Sequence, residues 1–524
     1  MASVRGPHGS TMRLNLLGRR RFGCADSHPL RLRSAPSGRT WCLLGLLALA
    51  GCEFAPPLRL PTVPTHADYT TAPAPHQSGS GAEHIVTQHF RYGATLSAPW
   101  WHSFGSTALD ALVQQALQHN PTVSAAQAQL RAARASMQVA VAVLYPQANL
   151  AFGAARTKNS GANFGGHLPG STFSLYTGNV AVSYYPDLFG INRLVIRGSR
   201  AEMNAQHAAL TAARLTLAGN VINATIGTAA AAAEIEAATA ALAAEHRLLL
   251  LLQSQYRGGG VSYATVLSQR AQLAASAAQL PPLEQQLSAY RHLLAVLLGE
   301  SPSAASVRRL KLAQFVLPEH IPVSVPSTVL RNRPDIRIAE QQMRYALTGI
   351  GIAKAQFYPL VTLSASVGSS ALTLGKLLNG SSTVWSIGGA LAQPIFEGGK
   401  LRAQEREAYA TYDATRSIYR GTVLAAFQQV ADALRALQHD DATARAEYRQ
   451  CEALHDQIQL AEAGYRAGAV DFSAVLLAQI AYQNARVAVA GITAARLQDT
   501  NALFVALGGD ERPTPAKGVG RRRP

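Results

Sequence analysis

Three stretches hold residue types that could do chemistry. Gly398-Gly399-Lys400 offers the small residues and the cation with which a loop cradles a phosphate. Such a loop also needs a glycine five positions before Gly399 and a hydroxyl after the lysine, and Pro394 and Leu401 stand there instead. His439-Asp440-Asp441 could hold a metal or move protons, yet it lies inside a long helical pattern and reads as a solvated patch rather than a ligand set. The 15 histidines are scattered without metal spacing, and no Gly-x-Ser-x-Gly, His-Glu-x-x-His or dinucleotide fingerprint occurs. No catalytic site, metal or bound cofactor is expected, so the chain does not read as an enzyme, and any transport through it would be passive.

The third stretch is Leu49-Ala50-Gly51-Cys52, which closes the apolar run Trp41–Ala50 behind the basic Arg39. About ten apolar residues are too few to span a bilayer but fit the core of an export signal. A small-residue site directly before a cysteine resembles the lipobox of bacterial lipoproteins. The resemblance implies cleavage before Cys52, with diacylglycerol on its sulfur and an acyl chain on its new amino group; an ordinary signal peptide with a chance cysteine is the other reading. Glu53, not Asp, follows, which favours the outer membrane over retention at the inner one. Residues 1–38 are long and Arg-rich for a leader, leaving room for a translation start later than Met1. Of 4 cysteines, Cys24 and Cys42 fall in the removed part and Cys451 is left as a lone thiol, without a disulfide partner or Cys-x-x-Cys spacing.

The formal net charge of +17 suggests nucleic acid until it is located. Eight Arg and one Asp before Cys52 give +7, four Arg and one Lys after Glu511 give +5, and the stretch between holds 17 − 7 − 5 = +5. The excess sits on the ends, and no nucleic-acid partner is expected. Pro56, Pro57, Pro61, Pro64, Pro73 and Pro75, followed by Ser78-Gly79-Ser80-Gly81, make an extended tether behind Cys52.

The elements that follow come twice. Tyr256-Arg257-Gly258-Gly259-Gly260-Val261 and Tyr465-Arg466-Ala467-Gly468-Ala469-Val470 repeat the punctuation Tyr-Arg-x-Gly-x-Val 209 residues apart. Asn120-Pro121 and Tyr145-Pro146 fall on Arg333-Pro334 and Tyr358-Pro359 at a shift of 213, and Leu298-Gly299 on Leu507-Gly508 at 209. Each unit should open with a helix of about 35 residues ending at its Tyr-Pro. A β-hairpin follows: Leu150, Phe152, Ala154 with Val180, Val182, Tyr184 in the first unit, and Val361, Leu363, Ala365, Val367 with Trp385, Ile387, Gly389, Leu391 in the second, alternate as strands with one apolar face. A helical arm of about 70 residues then runs roughly 100 Å to the Tyr-Arg turn, where a glycine leaves the helix at positive φ. In the second arm Val423, Phe427, Val430, Leu434 and Leu437 recur with a 3.5-residue period, which extends to Tyr448, Cys451 and Ile458 and gives Cys451 a buried place in the seam. Pro281-Pro282 marks a joint between two shorter helices returning beside the first long arm.

Four strands with one apolar face cannot stand in a bilayer as an open sheet, because edge groups have no water there. Association could close them: two copies give eight strands, three give twelve, four give sixteen. A soluble α+β protein whose hairpins cover a core is the alternative.

The tandem repeat, the lipobox, Trp100-Trp101, Arg333-Pro334-Asp335-Ile336, Leu280-Pro281-Pro282-Leu283-Glu284 and the two Tyr-Arg turns resemble the TolC-type outer-membrane efflux lipoproteins of the NodT branch. The resemblance implies a mainly α fold with a membrane β-barrel portion: tandem-duplicated long α-helical hairpins and two β-hairpins per protomer, in a homotrimer with a twelve-stranded barrel and a periplasmic α-barrel tunnel. It divides the chain into an extension and lipoprotein signal (1–51), a lipid-anchored tether and equatorial segment (52–105), a first efflux repeat (106–300), an equatorial linker (301–326), a second repeat (327–509) and a basic tail (510–524). It implies an exit duct in the outer membrane of a Gram-negative bacterium, passing small molecules such as drugs or toxic compounds from an inner-membrane pump, commonly of the RND type, through a periplasmic adaptor. The tips at Tyr256, Arg257, Gly259, Val261 and at Tyr465, Arg466, Gly468, Val470, Asp471 match the places where adaptor hairpins dock. The family's mouth usually carries an Asp twelve residues after the second Tyr. Leu477 stands there in this chain, with Ser473 and Ile480 one turn either way. An apolar ring of Leu477, helped by Leu476 or Ile480, would close the mouth; alternatively Leu477 packs between helices and another residue narrows the pore. A type I protein-secretion duct shares the fold, but the lipobox and the Leu-Pro-Pro-Leu-Glu joint favour efflux. A lipid-anchored structural coiled-coil envelope protein is the reading from a different class.

Overall fold

The computed structural model describes residues 54–61, 69, 76–78, 86–94, 96, 99–160, 170–303, 310–324 and 326–509. The lipobox with Cys52 and the basic tail lie outside the described residues. Nine α-helices and six strands are described, and they fall into two similar series. The first runs α1 (Thr107–His119), α2 (Pro121–Ala142), β2 (Gln147–Asn159), β3 (Ser171–Tyr184), α3 (Ile191–Arg257), α4 (Tyr263–Ala277) and α5 (Leu280–Leu297). The second runs α6 (Pro326–Asn332), α7 (Pro334–Ala355), β5 (Leu360–Ala371), β6 (Thr383–Ala392), α8 (Lys400–Arg466) and α9 (Phe472–Ala506). Two short strands, β1 (His89–Tyr92) in the tether and β4 (His320–Val323) between the series, pair in parallel from His89↔His320 to Tyr92↔Val323.

Both long arms, α3 and α8, are 67 residues, about 100 Å at the helical rise. The single opening helix expected in each series is broken in two. Asn120 and Arg333 hold extended backbone (ψ 127 and 125), because the following proline disfavours the helical region in the residue before it. Pro121 and Pro334 then start the next helix at a position where the missing N–H costs nothing. Both of these helices stop at an alanine three residues before Tyr145 and Tyr358. Pro281-Pro282 acts as the sequence implies: α4 ends at Ala277 and α5 begins at Leu280 with proline in its first turn.

The largest core gathers where both series meet the tether. Trp100 and Phe104 pack on Phe504 of α9 at ring separations of 5.9 and 6.1 Å, beside Leu109, Ile222, Leu294 and Leu434. Small residues let α3 approach its neighbours: a side chain on Gly227 would lie 2.6 Å from the Tyr290 ring, and Ala224, Ala229 and Ala231 are buried around it. Along α8 the seam Val423, Val430, Leu434 and Leu437 is buried. Beyond them it loosens, and Cys451 is only half-buried rather than a core residue; burial still raises its thiol pKa.

Candidate functional site

The four long strands form one antiparallel sheet in the order β2-β3-β5-β6. Register decides what its faces are, since directly paired residues project to the same side. Leu150 pairs Val180, Val180 pairs Val367 and Val367 pairs Trp385; Ala148, Val182, Ala365 and Ile387 form the next row. The apolar positions of all four strands therefore share one face. The other carries rows such as Ala151, Asn179, Gly368, Val384 and Gly153, Thr177, Ser370, and there Ser366 and Ser386 hydrogen-bond across the last ladder at 2.9 Å. The apolar face is open to its surroundings: Phe152 is 76% exposed, Trp385 72% and Ile387 79%. Among the described residues, β2 and β6 each have one strand neighbour, so two edges of opposite direction stay unpaired.

At the far end of the arms the two tips are built alike. Gly259 and Gly468 hold φ of 77° and 73°. Gly259 N–H donates to the Tyr256 carbonyl (3.0 Å) and Gly260 N–H to that of Gln255 (2.8 Å), while Gly468 and Ala469 donate to Tyr465 (3.0 Å) and Gly464 (2.8 Å). These reciprocal bonds satisfy the last carbonyls of each long arm and reverse the chain. Tyr256 then meets Tyr263 at 5.3 Å, and Tyr465 meets Phe472 at 5.1 Å, so an aromatic pair staples each turn. Arg257 and Arg466 end the arms with their charge beside the helix C-terminus, Val261 is partly buried and Val470 is exposed. Asp471 is the N-cap of α9 without a side-chain capping bond.

The proposed mouth residues separate cleanly. Leu477 is 56% exposed, whereas Leu476 is fully buried among Leu248, Leu249, Leu252 and Val266 of the first hairpin. Leu476 therefore cannot help to line an opening, and that part of the expectation is corrected. Ile480 packs partly on the same cluster, and Ser473 is half-buried.

The outer membrane efflux protein family model matches residues 112–300 and 325–509, more than half of the chain. The chain belongs to the outer membrane efflux protein family. Among its relatives, a pyoverdine export outer membrane protein OpmQ of Pseudomonas putida is 30% identical over 476 residues, 90% of this chain and 97% of the relative. Nodulation protein T of Rhizobium leguminosarum bv. viciae is 29% identical over 448 residues, 85% and 90%. The solved outer-membrane channel OprN superposes with a TM-score of 0.77 at 27% identity, covering 87% of this chain and 99% of that one. This efflux protein is thus the outer-membrane channel of an efflux pump and not an enzyme.

One polar site in this efflux protein escaped the sequence reading. His439 is exposed and Asp440 half-buried, but Asp441 is 1% exposed and lies under the tether, so the run is not wholly the solvated patch expected. Arg445 reaches its Oδ2 at 3.0 Å and Arg496 its Oδ1 at 3.3 Å. Ser78 donates to the same Oδ1 (3.2 Å), and Arg496 also donates to the Val86 carbonyl (2.7 Å). Fully buried Gln88 donates to Thr500 Oγ1 (3.0 Å) and to the Pro318 carbonyl (3.3 Å). The cluster fastens tether to helices. Beside it Asp440 faces Asp499 of α9, and burial, then a hydrogen bond and repulsion from Asp499, push its pKa up to about 7 against the pull of Arg496. The partners sit 363 and 410 positions away in sequence from the residues they hold, and no local spacing signals them.

Proposed function

We propose that three copies of this chain close their sheets into one twelve-stranded barrel, anchored by lipid on Cys52, whose long helices continue as a periplasmic tunnel. One observation carries this reading: an apolar face continuous through three ladders ends at two unpaired edges whose directions allow β6 of one copy to add antiparallel to β2 of the next. A bilayer tolerates such a sheet only when closed. Single cysteines along β2 combined with single cysteines along β6, in a Cys451→Ser background, should give covalent ladders that stop at three under oxidation; ladders stopping at two or four would refute the trimer.

The tips serve as docking points for a periplasmic adaptor that delivers substrate from an inner-membrane pump of the RND type. Exposed Val470 beside a rigid, doubly bonded turn supports that use. Val470→Glu should abolish co-purification with the adaptor while leaving conductance unchanged, and retained co-purification would speak against the tip. The cargo is a small molecule, a reading supported by the pyoverdine-export relatives. Leu477 from three copies forms an apolar mouth. Phe54, two residues after Cys52, packs at 4.7 Å on Tyr358 at the root of β5, which supports an acylated Cys52 at the barrel rim. Mass spectrometry should find three acyl chains on the wild type and none on Cys52→Ser.

A further inference from the structure

A cavity of about 740 Å³ opens below the strand roots, between the tether at Ala55 to Leu58, α3 and α7. The tether lies close on α7: a side chain on Gly351 would meet the Ala55 nitrogen at 3.1 Å. Arg197 and Arg200 from α3 and Arg344 from α7 line the cavity, together with the amides Asn204 and Gln341. Arg344 is paired with Glu340 at 2.6 Å, and among the described residues no carboxylate lines the cavity. Leu58, Ala201 and Leu347 give it apolar wall as well.

Its height is set by helix geometry. Arg197 stands six residues into α3 and Thr348 seven before the end of α7, about 10 Å from the helix ends nearest the sheet. Arg200 and Arg344 lie about 13 and 16 Å from those same ends. Beyond the hydrocarbon edge the headgroup region is about 5–8 Å deep, so a headgroup must reach down to the cavity, met by upward extension of the α3 arginines, while Arg344 is turned onto Glu340, one turn farther from the sheet. The ring stack of Phe189 on Tyr358 (5.1 Å), with Phe54 against the same tyrosine, puts aromatic residues at that edge.

We propose that this cavity binds the headgroup phosphate of an anionic phospholipid from the periplasmic leaflet of the outer membrane. Guanidinium forks match phosphate oxygens in pairs, and the apolar wall suits the glycerol and first methylenes of a lipid better than a free ion. The acyl chains on Cys52 carry no phosphate, so a separate lipid must supply it. The bound lipid would sit beneath the tether and fix the rim of the duct to its leaflet. This inference rests on the anchored-duct reading.

Lipidated full-length protein in detergent, titrated with dioleoyl-phosphatidylglycerol or dioleoyl-phosphatidylethanolamine and resolved by native mass spectrometry, tests it. Phosphatidylglycerol should bind at least tenfold more tightly, and Arg200→Gln/Arg344→Gln should weaken it by about thirtyfold and remove most of that preference. Equal binding of the two lipids, or unchanged phosphatidylglycerol binding in the variant, would overturn the proposal. So would displacement by inorganic phosphate at the same concentration as lipid, which would assign a free anion instead. The variant's planar-bilayer conductance should equal the parent's; a conducting variant without lipid preference in the parent would remove this inference and leave the duct reading standing.

Discussion

Asn120 and Arg333, 213 positions apart in the chain, bind equivalent helix ends. Asn120 Nδ2 donates to the Leu297 carbonyl at the end of α5 (2.9 Å), and Arg333 Nη1 donates to the Ala506 carbonyl at the end of α9 (2.7 Å). Each residue also starts its own helix, α2 or α7, so one side chain joins the opening of a repeat to its close. The glycines that follow are shaped by this contact: a side chain on Gly299 would lie 2.6 Å from the His119 carbonyl, and one on Gly508 would lie 3.2 Å from the Arg333 backbone. The duplication is therefore kept at the level of individual hydrogen bonds, although the residue type has changed from amide to guanidinium.

That change sets unequal costs. Arg333 is buried and also holds Asp335 at 2.6 Å and Gln429 at 2.8 Å, so Arg333→Ala leaves a carbonyl, a carboxylate and an amide without their donor. A loss of about 3 kcal/mol is expected. Asn120 contributes one bond to Leu297 and one cap to Thr122, and Asn120→Ala should cost about 1–2 kcal/mol. Arg333→Lys should not rescue, since an ammonium cannot reproduce the fork. Denaturant midpoints of the three variants provide the measurement, and equal losses at the two sites would contradict the assignment.

The Asp440–Asp499 pair predicts a pH effect. Asp440 binds a proton in the folded protein up to about pH 7, whereas an unfolded aspartate has released it near 3.8. The folded state thus holds the extra proton between those values, and stability falls as pH rises from about 4 to 7, then levels. The facing groups are Asp499 and Arg496, with Asp441 and Arg445 behind them. Asp440→Asn keeps the hydrogen bond to Asp499 and removes the titration. Its thermal midpoint should fall less than that of the wild type from pH 5 to 8 and exceed it by a few degrees at pH 8; parallel pH curves for the two proteins would refute it.

Periodicity made much of the molecule legible, and tertiary partnership hid the rest. Alternation in Leu150–Ala154 and Val361–Val367 marked the strands because one face had to be apolar, and the Tyr-Arg-x-Gly turns stood out because positive φ selects glycine. The breaks at Asn120 and Arg333 do not show in periodicity, which reads as one helix across each; only the effect of Pro121 and Pro334 on the residue before them marks the places. Asp441 was misjudged because helical context makes an acid look solvated, while its arginines and the tether arrive from elsewhere in the chain. Leu476 and Leu477 are adjacent and alike in type, and only packing on Leu248 and Leu252 separates a buried residue from an exposed one.

The mouth can be tested on that same adjacent pair. In the proposed trimer, Leu477→Asp would replace three exposed leucines at the proposed mouth with three carboxylates, wetting it and attracting cations. Planar-bilayer conductance should rise several-fold with a shift toward cation selectivity, and the folded trimer should persist. Leu476→Asp should instead bury a charge beneath α3 and α4 and destabilise the tip, with a loss of several kcal/mol or failure to assemble. An unchanged conductance for Leu477→Asp would place the constriction elsewhere on α9.

The sheet makes a two-sided prediction. Ile387 and Ser386 are neighbours in mid-strand β6, and register puts Ile387 on the apolar face beside Ala365 and Ser386 on the other face beside Ser366. If the apolar face meets lipid, Ile387→Lys places an ammonium near the bilayer midplane at a cost of about 2–4 kcal/mol per protomer, and three copies multiply the effect in a trimer. Ser386→Lys, facing a water-filled lumen, should cost little beyond the lost Ser366 bond and should lower cation conductance. Resistance of the assembled protein to heat in detergent gels distinguishes them: Ile387→Lys should fall apart at lower temperature and Ser386→Lys should not. The reverse ranking would mean that the sheet packs its apolar face inward, as a soluble protein would, and the barrel would have to be abandoned.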